Sequence, residues 1–250
     1  MRSGLLRTDT VILCGGRGMR LRRLVADRPK PLADFGGVPF LEMLMEYCAS
    51  FGLRRFILCA GYKGEMIRRA VQGLERPWDV RCLVEKKARG TGGAVAAARR
   101  WIKGDPFLVL NGDSFCGADL GRLLKFHRAK RGLVSLVVVP ASKRCRECGH
   151  VAMDAQGRIL SFEEKKKGRE RAFDNTGIYA MSPAVFRLMP PSPFSLEYDF
   201  FPQLLAVGRP CWGRVEKKPL LDFGTAAGYR AARRLWSRGR LRPGRTKGSS

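Results

Sequence analysis

An apolar run that stops at a cluster of glycines constrains this chain most. Thr10-Val11-Ile12-Leu13-Cys14 has the length and apolarity of a strand buried on both faces, the kind found inside parallel sheets. Gly15, Gly16 and Gly18 follow at once, and glycine lets a backbone turn tightly while leaving its N–H groups bare to an anion. Beyond them come Arg20 and Lys30, the lysine clamped between Pro29 and Pro31, and both side chains can give charge-assisted hydrogen bonds to phosphate oxygens. Neither common phosphate loop has this spacing: a Walker loop ends in Gly-Lys-Ser/Thr, and a dinucleotide loop follows G-x-G-x-x-G. The pattern predicts a triphosphate held at the end of a buried strand.

Strand and helix patterns then alternate. Helical spacing of apolar residues over 40–51 stops before Gly52, and 55–60 reads as a short buried strand. Residues 62–74, 93–102 and 120–130 read as helices; 80–84, 106–110 and the β-branched 133–139 read as strands. Such a succession predicts an α/β fold, a Rossmann-like, mostly parallel sheet flanked by helices on both faces. Ligands in these sheets bind at the carboxyl ends of the strands. The glycine turn and Asn111-Gly112-Asp113, each following a strand, should meet there in one cleft. The expected organisation is an N-terminal extension over 1–9, one domain over 10–236 and a basic, disordered tail over 237–250.

The second half is more broken. Gly149-His150-Val151 with Asp154 and Gly157 suggests a hairpin, and Asn175-Thr176-Gly177-Ile178-Tyr179 closes a variable loop and opens a strand. Ser195 is positioned to cap a helix, and Asp222 precedes a turn into a helix over 227–235. Between these halves, Gly90-Thr91-Gly92-Gly93 follows a strand and opens a helix, whose N–H groups and dipole can meet a base edge or a phosphate.

Composition narrows the function classes. A formal charge of +26 raises nucleic acid as a partner, but the charge is scattered and no zinc finger, RNP-like or helix-turn-helix pattern accompanies it, so no dedicated nucleic-acid role is expected. A membrane span is not expected either, since no apolar stretch approaches the roughly 20 residues one requires. Eight cysteines, several inside apolar runs, read as reduced core thiols of a cytoplasmic protein; Cys145 and Cys148 form a C-x-x-C that lacks further zinc ligands at suitable spacing. Two histidines, His127 and His150, do not make a ligand pair.

The order of these motifs resembles the sugar-1-phosphate nucleotidyltransferases, whose opening signature is approximately GGxGTRLxPLTxxxPKPL. The GDxx motif of that family corresponds to Gly112-Asp113, FxEKP to Phe162-Glu163-Glu164-Lys165, NTGIY to 175–179, SLExDxFP to 195–202 and DIGTPxxY to 222–229. The stretch 30–67 is most similar to guanylyltransferases acting on D-glycero-D-manno-heptose 1-phosphate, followed by those acting on mannose 1-phosphate. Departures stand at Met19, Arg23, Val25, Lys166 and Ala226. A retired relative that binds nucleotide sugars without making them is kept as an alternative because Met19 lacks the usual threonine hydroxyl.

The resemblance implies a nucleoside triphosphate and a sugar 1-phosphate as partners and Mg²⁺ as cofactor; the oligomeric state is left open, a homo-oligomer being one option. It assigns catalysis to Arg20, Lys30 and Asp113, with Asp113 and Asp222 holding the metal. Nucleotide contacts fall to Leu13, Gly15, Gly16, Gly18, Gly90, Thr91, Gly92, Gly93 and Gly112. Sugar contacts fall to Gly149, Glu164, Lys165, Asn175 and Thr176. Members with a glutamine in the 85–94 loop pair it with a pyrimidine; taking that position as Gly93, the extra room favours a purine, with uridylyl or thymidylyl transfer as the alternative.

Overall fold

A computed structural model describes residues 7–16, 27–141, 149–163, 173–223 and 226–237. Gly18, Arg20, Glu164 and Lys165, with Met19, Cys145, Cys148 and the 238–250 part of the tail, lie outside the described residues. The strands are β1 (Asp9–Cys14), β2 (Arg55–Ala60), β3 (Asp79–Val84), β4 (Phe107–Asn111), β5 (Ser114–Cys116), β6 (Val134–Pro140), β7 (His150–Met153), β8 (Ile159–Glu163), β9 (Phe173–Met181), β10 (Cys211–Val215) and β11 (Leu220–Asp222). The α-helices are α1 (Phe40–Ser50), α2 (Gly64–Gln72), α3 (Gly90–Ala98), α4 (Leu120–Lys130), α5 (Phe201–Ala206) and α6 (Ala226–Ser237).

The main sheet runs β10-β6-β9-β4-β1-β2-β3, with β1 paired in parallel to both β2 and β4. Its period-two alternation assigns neighbours to opposite faces. Ile12, Leu58 and Leu110 pack with α1, α2, α4 and α6 on one side, whereas Val11, Ile57 and Val109 pack with α3 and α5 on the other. Burial is so complete that Thr10 is also enclosed, and its hydroxyl has no partner among the described residues. Such a group costs about 1–3 kcal/mol. Fully burying Val11 and Ile12 contributes about 1.5–3 kcal/mol each, so the strand is stable in spite of it.

One strand departs from the parallel succession. β9 lies between β4 and β6 and runs antiparallel to both, because it follows the antiparallel β7–β8 hairpin and pairs with β7 at its own start. Asn175-Thr176-Gly177-Ile178-Tyr179 therefore sits inside a strand rather than opening one. Helix α3 begins at Gly90, three residues before the pattern suggested, so the glycines form its first turn. Ser195 does cap a helix: its Oγ accepts from the N–H groups of Glu197 and Tyr198, at the head of a π-turn that runs into α5.

The first strand is pinned at its start by Asp9, which is 1% exposed. Its Oδ2 accepts from the N–H of Lys103 at 2.6 Å and of Gly104 at 2.7 Å, and its Oδ1 pairs with Arg55 at 3.1 Å. One carboxylate thus ties β1 to β2 and to the loop that leads into β4. Removing it strands two N–H groups and takes from a half-buried guanidinium its nearer carboxylate, leaving Asp79 at 3.8 Å. Asp9→Ala should lower unfolding free energy by about 3 kcal/mol, read as a shift in the urea midpoint with no change in slope; a shift under about 0.5 kcal/mol would refute this anchoring role.

Candidate functional site

Four parallel strands stop at one level: Leu13 lies opposite Asn111, Cys14 opposite Ala60, and Ala60 opposite Val84. The next residues are Gly15, Gly61, Gly112 and Glu85. Close contact between these ends needs small residues, since a side chain on Gly61 would come within 2.8 Å of the Gly15 carbonyl oxygen. Gly112 donates its N–H to the Leu13 carbonyl at 2.9 Å. Above them lies a cleft of about 340 Å³, lined by 13–16, Lys30 and Pro31, Cys59, Glu85, 88–91, Ala94 and 111–113. The glycine turn and the Asn-Gly-Asp segment therefore share one cleft, as the order of strands implied. Leu13, Gly15, Gly16, Gly90, Thr91 and Gly112 all border it.

Charge enters from two sides. Lys30–Leu32 folds as a short 3₁₀ turn after an extended Pro29, and the fixed φ of the two flanking prolines restricts the lysine's place on the cleft wall. Its Nζ lies 3.3 Å from Asp113 Oδ2; the lysine is 13% exposed and the aspartate 42%. Asp222 comes to the same spot through a different element. β11 pairs antiparallel with β5 so that Asp222 faces Ser114 in register, and the N–H of Phe223 donates to the Asp113 carbonyl at 3.1 Å. The Phe223 ring packs against Phe35 and Phe40 at centroid distances of 4.9 and 4.3 Å, which fixes that strand against the lysine-bearing segment. The Asp222 side chain lies outside the described part of the structure, so the two carboxylates are brought together here by backbone register alone. Among the described residues no group of three or more His, Cys, Asp or Glu side chains could hold a metal ion.

The 90–94 segment corrects two expectations. Gly92 and Gly93 are buried and border residues 192–194 instead of the cleft. Both donate their N–H groups to the Phe194 carbonyl, at 3.0 and 3.2 Å, so these groups are not offered to a phosphate. A side chain on Gly92 would strike the Phe194 ring, and one on Gly93 would meet Ser192 Oγ at 2.5 Å. The room at Gly93 is filled by the protein itself and cannot favour a purine. Thr91 presents its backbone to the cleft, but its hydroxyl donates to Glu197 Oε2 at 2.7 Å and accepts from the Leu196 N–H at 2.8 Å.

A second, smaller pocket of about 80 Å³ opens beside the first, lined by Gly149, His150, Phe162, Asn175, Glu197, Tyr198 and Pro202. Gly149 and Asn175 meet there, the Asn175 N–H donating to the Gly149 carbonyl at 2.9 Å. Thr176 does not join them. It is 2% exposed, and its hydroxyl donates to the Val137 carbonyl at 2.8 Å, because side chains alternate along β9 and this one points into the helix-covered face.

Sequence reasoning missed Glu85. It is half-buried, its carboxyl is pushed above the usual range by burial, with Arg89 partly offsetting the rise, and its buried Oε1 has no hydrogen-bond partner among the described residues. The signal was positional: Glu85 is the first residue past β3, level with the glycines that end the neighbouring strands. Cys14 and Cys59 also border the cleft, but burial raises both thiols well above the ordinary range and keeps them protonated.

With this geometry in view, comparison with known proteins gives a consistent answer. Residues 9–236 match the nucleotidyl transferase family. A mannose-1-phosphate guanylyltransferase of Mycobacterium tuberculosis is 34% identical over 222 residues, 88% of this chain and 62% of the relative, so the chain spans about three fifths of that protein's length. A D-glycero-alpha-D-manno-heptose 1-phosphate guanylyltransferase of Campylobacter jejuni is 35% identical over 178 residues, 71% of this chain and 77% of the relative. Among solved structures, HddC from Yersinia pseudotuberculosis, complexed with GMP-PN, superposes with a TM-score of 0.79 at 31% identity, covering 92% of this chain and 99% of that one. A divalent metal is general to the chemistry of this family, and no helix among the described residues is long and apolar enough to cross a membrane. The chain belongs to the nucleotidyl transferase family.

Proposed function

We propose that this chain transfers GMP from GTP to a sugar 1-phosphate of the heptose or mannose type, giving a GDP-sugar and pyrophosphate. The observation that carries it is the pairing of Lys30 with Asp113 at 3.3 Å on the wall of a cleft formed by four level strand ends. An oxygen of the sugar phosphate attacks the α-phosphorus, the bond to the bridging β-oxygen breaks, and pyrophosphate leaves with the electron pair. No side chain need act as nucleophile or base, since the attacking oxygen is already ionised at neutral pH. Two anions must instead be brought together, so the protein's work is positioning and charge neutralisation.

Lys30 contributes a point charge whose reach the flanking prolines restrict. Asp113, with Asp222 beside it in register, suits Mg²⁺, a cation that takes few protein carboxylates and several phosphate oxygens; bound there, it would supply charge neutralisation at the phosphates. The open backbone at Gly15 and Gly16 borders the triphosphate side, and the sequence pattern assigns Arg20 to the departing pyrophosphate.

Guanine is supported by Glu85. Its carboxylate borders the cleft and is an acceptor, and the Watson–Crick edge of guanine offers adjacent N1–H and N2–H donors. Uracil and thymine flank their single N–H with two carbonyl oxygens, which a carboxylate repels. Adenine sets one donor beside an acceptor. The heptose and mannose relatives and the GMP-PN complex of HddC support the same base. We also assign the chain to the cytoplasm, consistent with unpaired cysteines at 14, 48, 59, 82, 116 and 211.

Two experiments test this reading. In a pyrophosphate-release assay with GTP and heptose or mannose 1-phosphate, Lys30→Ala and Asp113→Asn should each lower kcat/KM at least a hundredfold, about 2.7 kcal/mol, with unchanged thermal unfolding. Lys30→Arg should not rescue, because a planar fork differs in reach from an ammonium, and chelation should abolish turnover until Mg²⁺ is restored. Rates within threefold of the parent for both variants would overturn the site. Separately, Glu85→Gln should reduce kcat/KM for GTP at least tenfold, about 1.4 kcal/mol, and narrow its lead over UTP and ATP; a parent that prefers UTP or dTTP would reject the guanine assignment while leaving the reaction class intact.

A further inference from the structure

A third cavity, of about 510 Å³, opens along the outer side of α3 and is lined by Leu83, Arg89, Ala96, Ala97, Arg99 and Arg100. β3 is the edge strand of the main sheet, so the space between it and α3 is a groove open to solvent. Leu83 forms its floor: it pairs in register with Cys59, whose side chain belongs to the apolar cluster on the α3 side. The helix turns Gly92, Gly93, Ala94, Val95 and Ala98 inward, and the half-exposed Ala96 and Ala97 are too small to fill the groove. Arg89 stands at the N-terminal end of α3, and Arg99 and Arg100 follow its last residue. The groove therefore runs the length of a nine-residue helix, about 14 Å.

Three arginines line this groove and no acidic residue does. All three are exposed, and among the described residues none of them pairs with a carboxylate; Asp79, the acid on the neighbouring strand, is held by Arg55 at 3.8 Å and Arg81 at 3.7 Å. The Arg100 guanidinium lies 4.1 Å from the Trp101 ring centroid and that of Arg99 5.8 Å from the Phe186 centroid, contacts that steady a guanidinium without neutralising it. Like charges gathered in a concave wall focus a positive potential there. Arg89 belongs to the cleft as well. Burial raises the Glu85 carboxyl, and the charge and backbone N–H of Arg89 work against that rise.

We propose that this groove is a second anion site, which takes an oligophosphate group, and that its occupancy weakens GTP binding in the cleft through Arg89. Guanidinium forks match phosphate oxygens bidentately, and several forks along one groove call for several phosphates. The groove, at about 510 Å³ against about 340 Å³ for the cleft, has room for a nucleotide, with Leu83, Ala96 and Ala97 as an apolar bed for its base. An anion there draws the charge of Arg89 away from Glu85 and sets negative charge beside the triphosphate. Both effects oppose GTP. The coupling rests on the nucleotidyl-transfer reading above, whereas the anion site does not.

The site is tested by isothermal titration of the full-length Lys30→Ala variant, whose cleft is weakened, with inorganic tripolyphosphate and with ADP at fixed ionic strength and without metal. One molecule should bind per chain, and adding Arg99→Ala and Arg100→Ala, two exposed changes, should weaken it at least tenfold, about 1.4 kcal/mol, with thermal unfolding unchanged. Equal affinities for the two probes would assign recognition to the phosphates alone; tighter ADP would add the nucleoside. An unchanged affinity in the double variant, or sulfate bound as tightly as tripolyphosphate, would overturn the site. The coupling is tested by GDP-sugar formation with Lys30 intact. Without ADP the Arg99→Ala/Arg100→Ala variant should match the parent in kcat and in KM for GTP within about twofold, and ADP should raise that KM at least threefold in the parent only. An equal rise in both would mean competition in the cleft and would overturn the coupling. A folded parent that forms no GDP-sugar would overturn the reaction and the coupling, while the titration still decides the groove.

Discussion

The level ending of β1, β2, β3 and β4 is the constraint on which the site depends. Parallel neighbours in register bring their carboxyl ends to one line, and each chain must then leave the sheet through a turn at that line. Four turns compete for the space, so Gly15, Gly61 and Gly112 pack backbone to backbone, with Gly112 bonded to the Leu13 carbonyl. The cleft is what remains above them. Burial of β1 on both faces by two separate apolar clusters keeps that line fixed.

Onto this floor the second half of the chain brings chemistry by antiparallel pairing. β11 brings Asp222 opposite Ser114, next to Asp113, and the Phe35, Phe40 and Phe223 rings lock the strand down. β9 enters between β4 and β6 and delivers Asn175 to the small pocket. The Thr91, Tyr179 and Glu197 hydrogen bonds then join α3 to that pocket. The cleft and the small pocket are thus built from different halves of the chain but share one polar wall. Among the described residues, the charged side chains that border the cleft are Lys30, Glu85, Arg89 and Asp113.

Several readings made from residues alone held because they rest on local physics. The run at 10–14 is a buried strand with a glycine turn, Ser195 caps its helix, and the elements at 40–50, 55–60 and 120–130 lie where their periodicity put them. Others failed where side chains met partners distant in sequence. Thr176 turned inward to Val137, and Gly92 and Gly93 closed onto Phe194. Glu85 passed unnoticed because a single acidic residue after a strand carries no pattern; what marks it is a buried Oε1 without a partner among the described residues.

What the sequence by itself determined was the alternation of strands and helices, the carboxyl-end position of the two glycine segments, and the kinds of charge available to a phosphate. These follow from period, turn chemistry and residue type, all of which act over a few positions. Tertiary structure alone decided that β9 runs against its neighbours, that Lys30 meets Asp113 across 83 positions, and that His150 faces a buried Asp174. Those outcomes depend on strand register and on which groups exclude water from one another. Such contacts are settled by the packing of the whole chain, so no local stretch of residues can specify them.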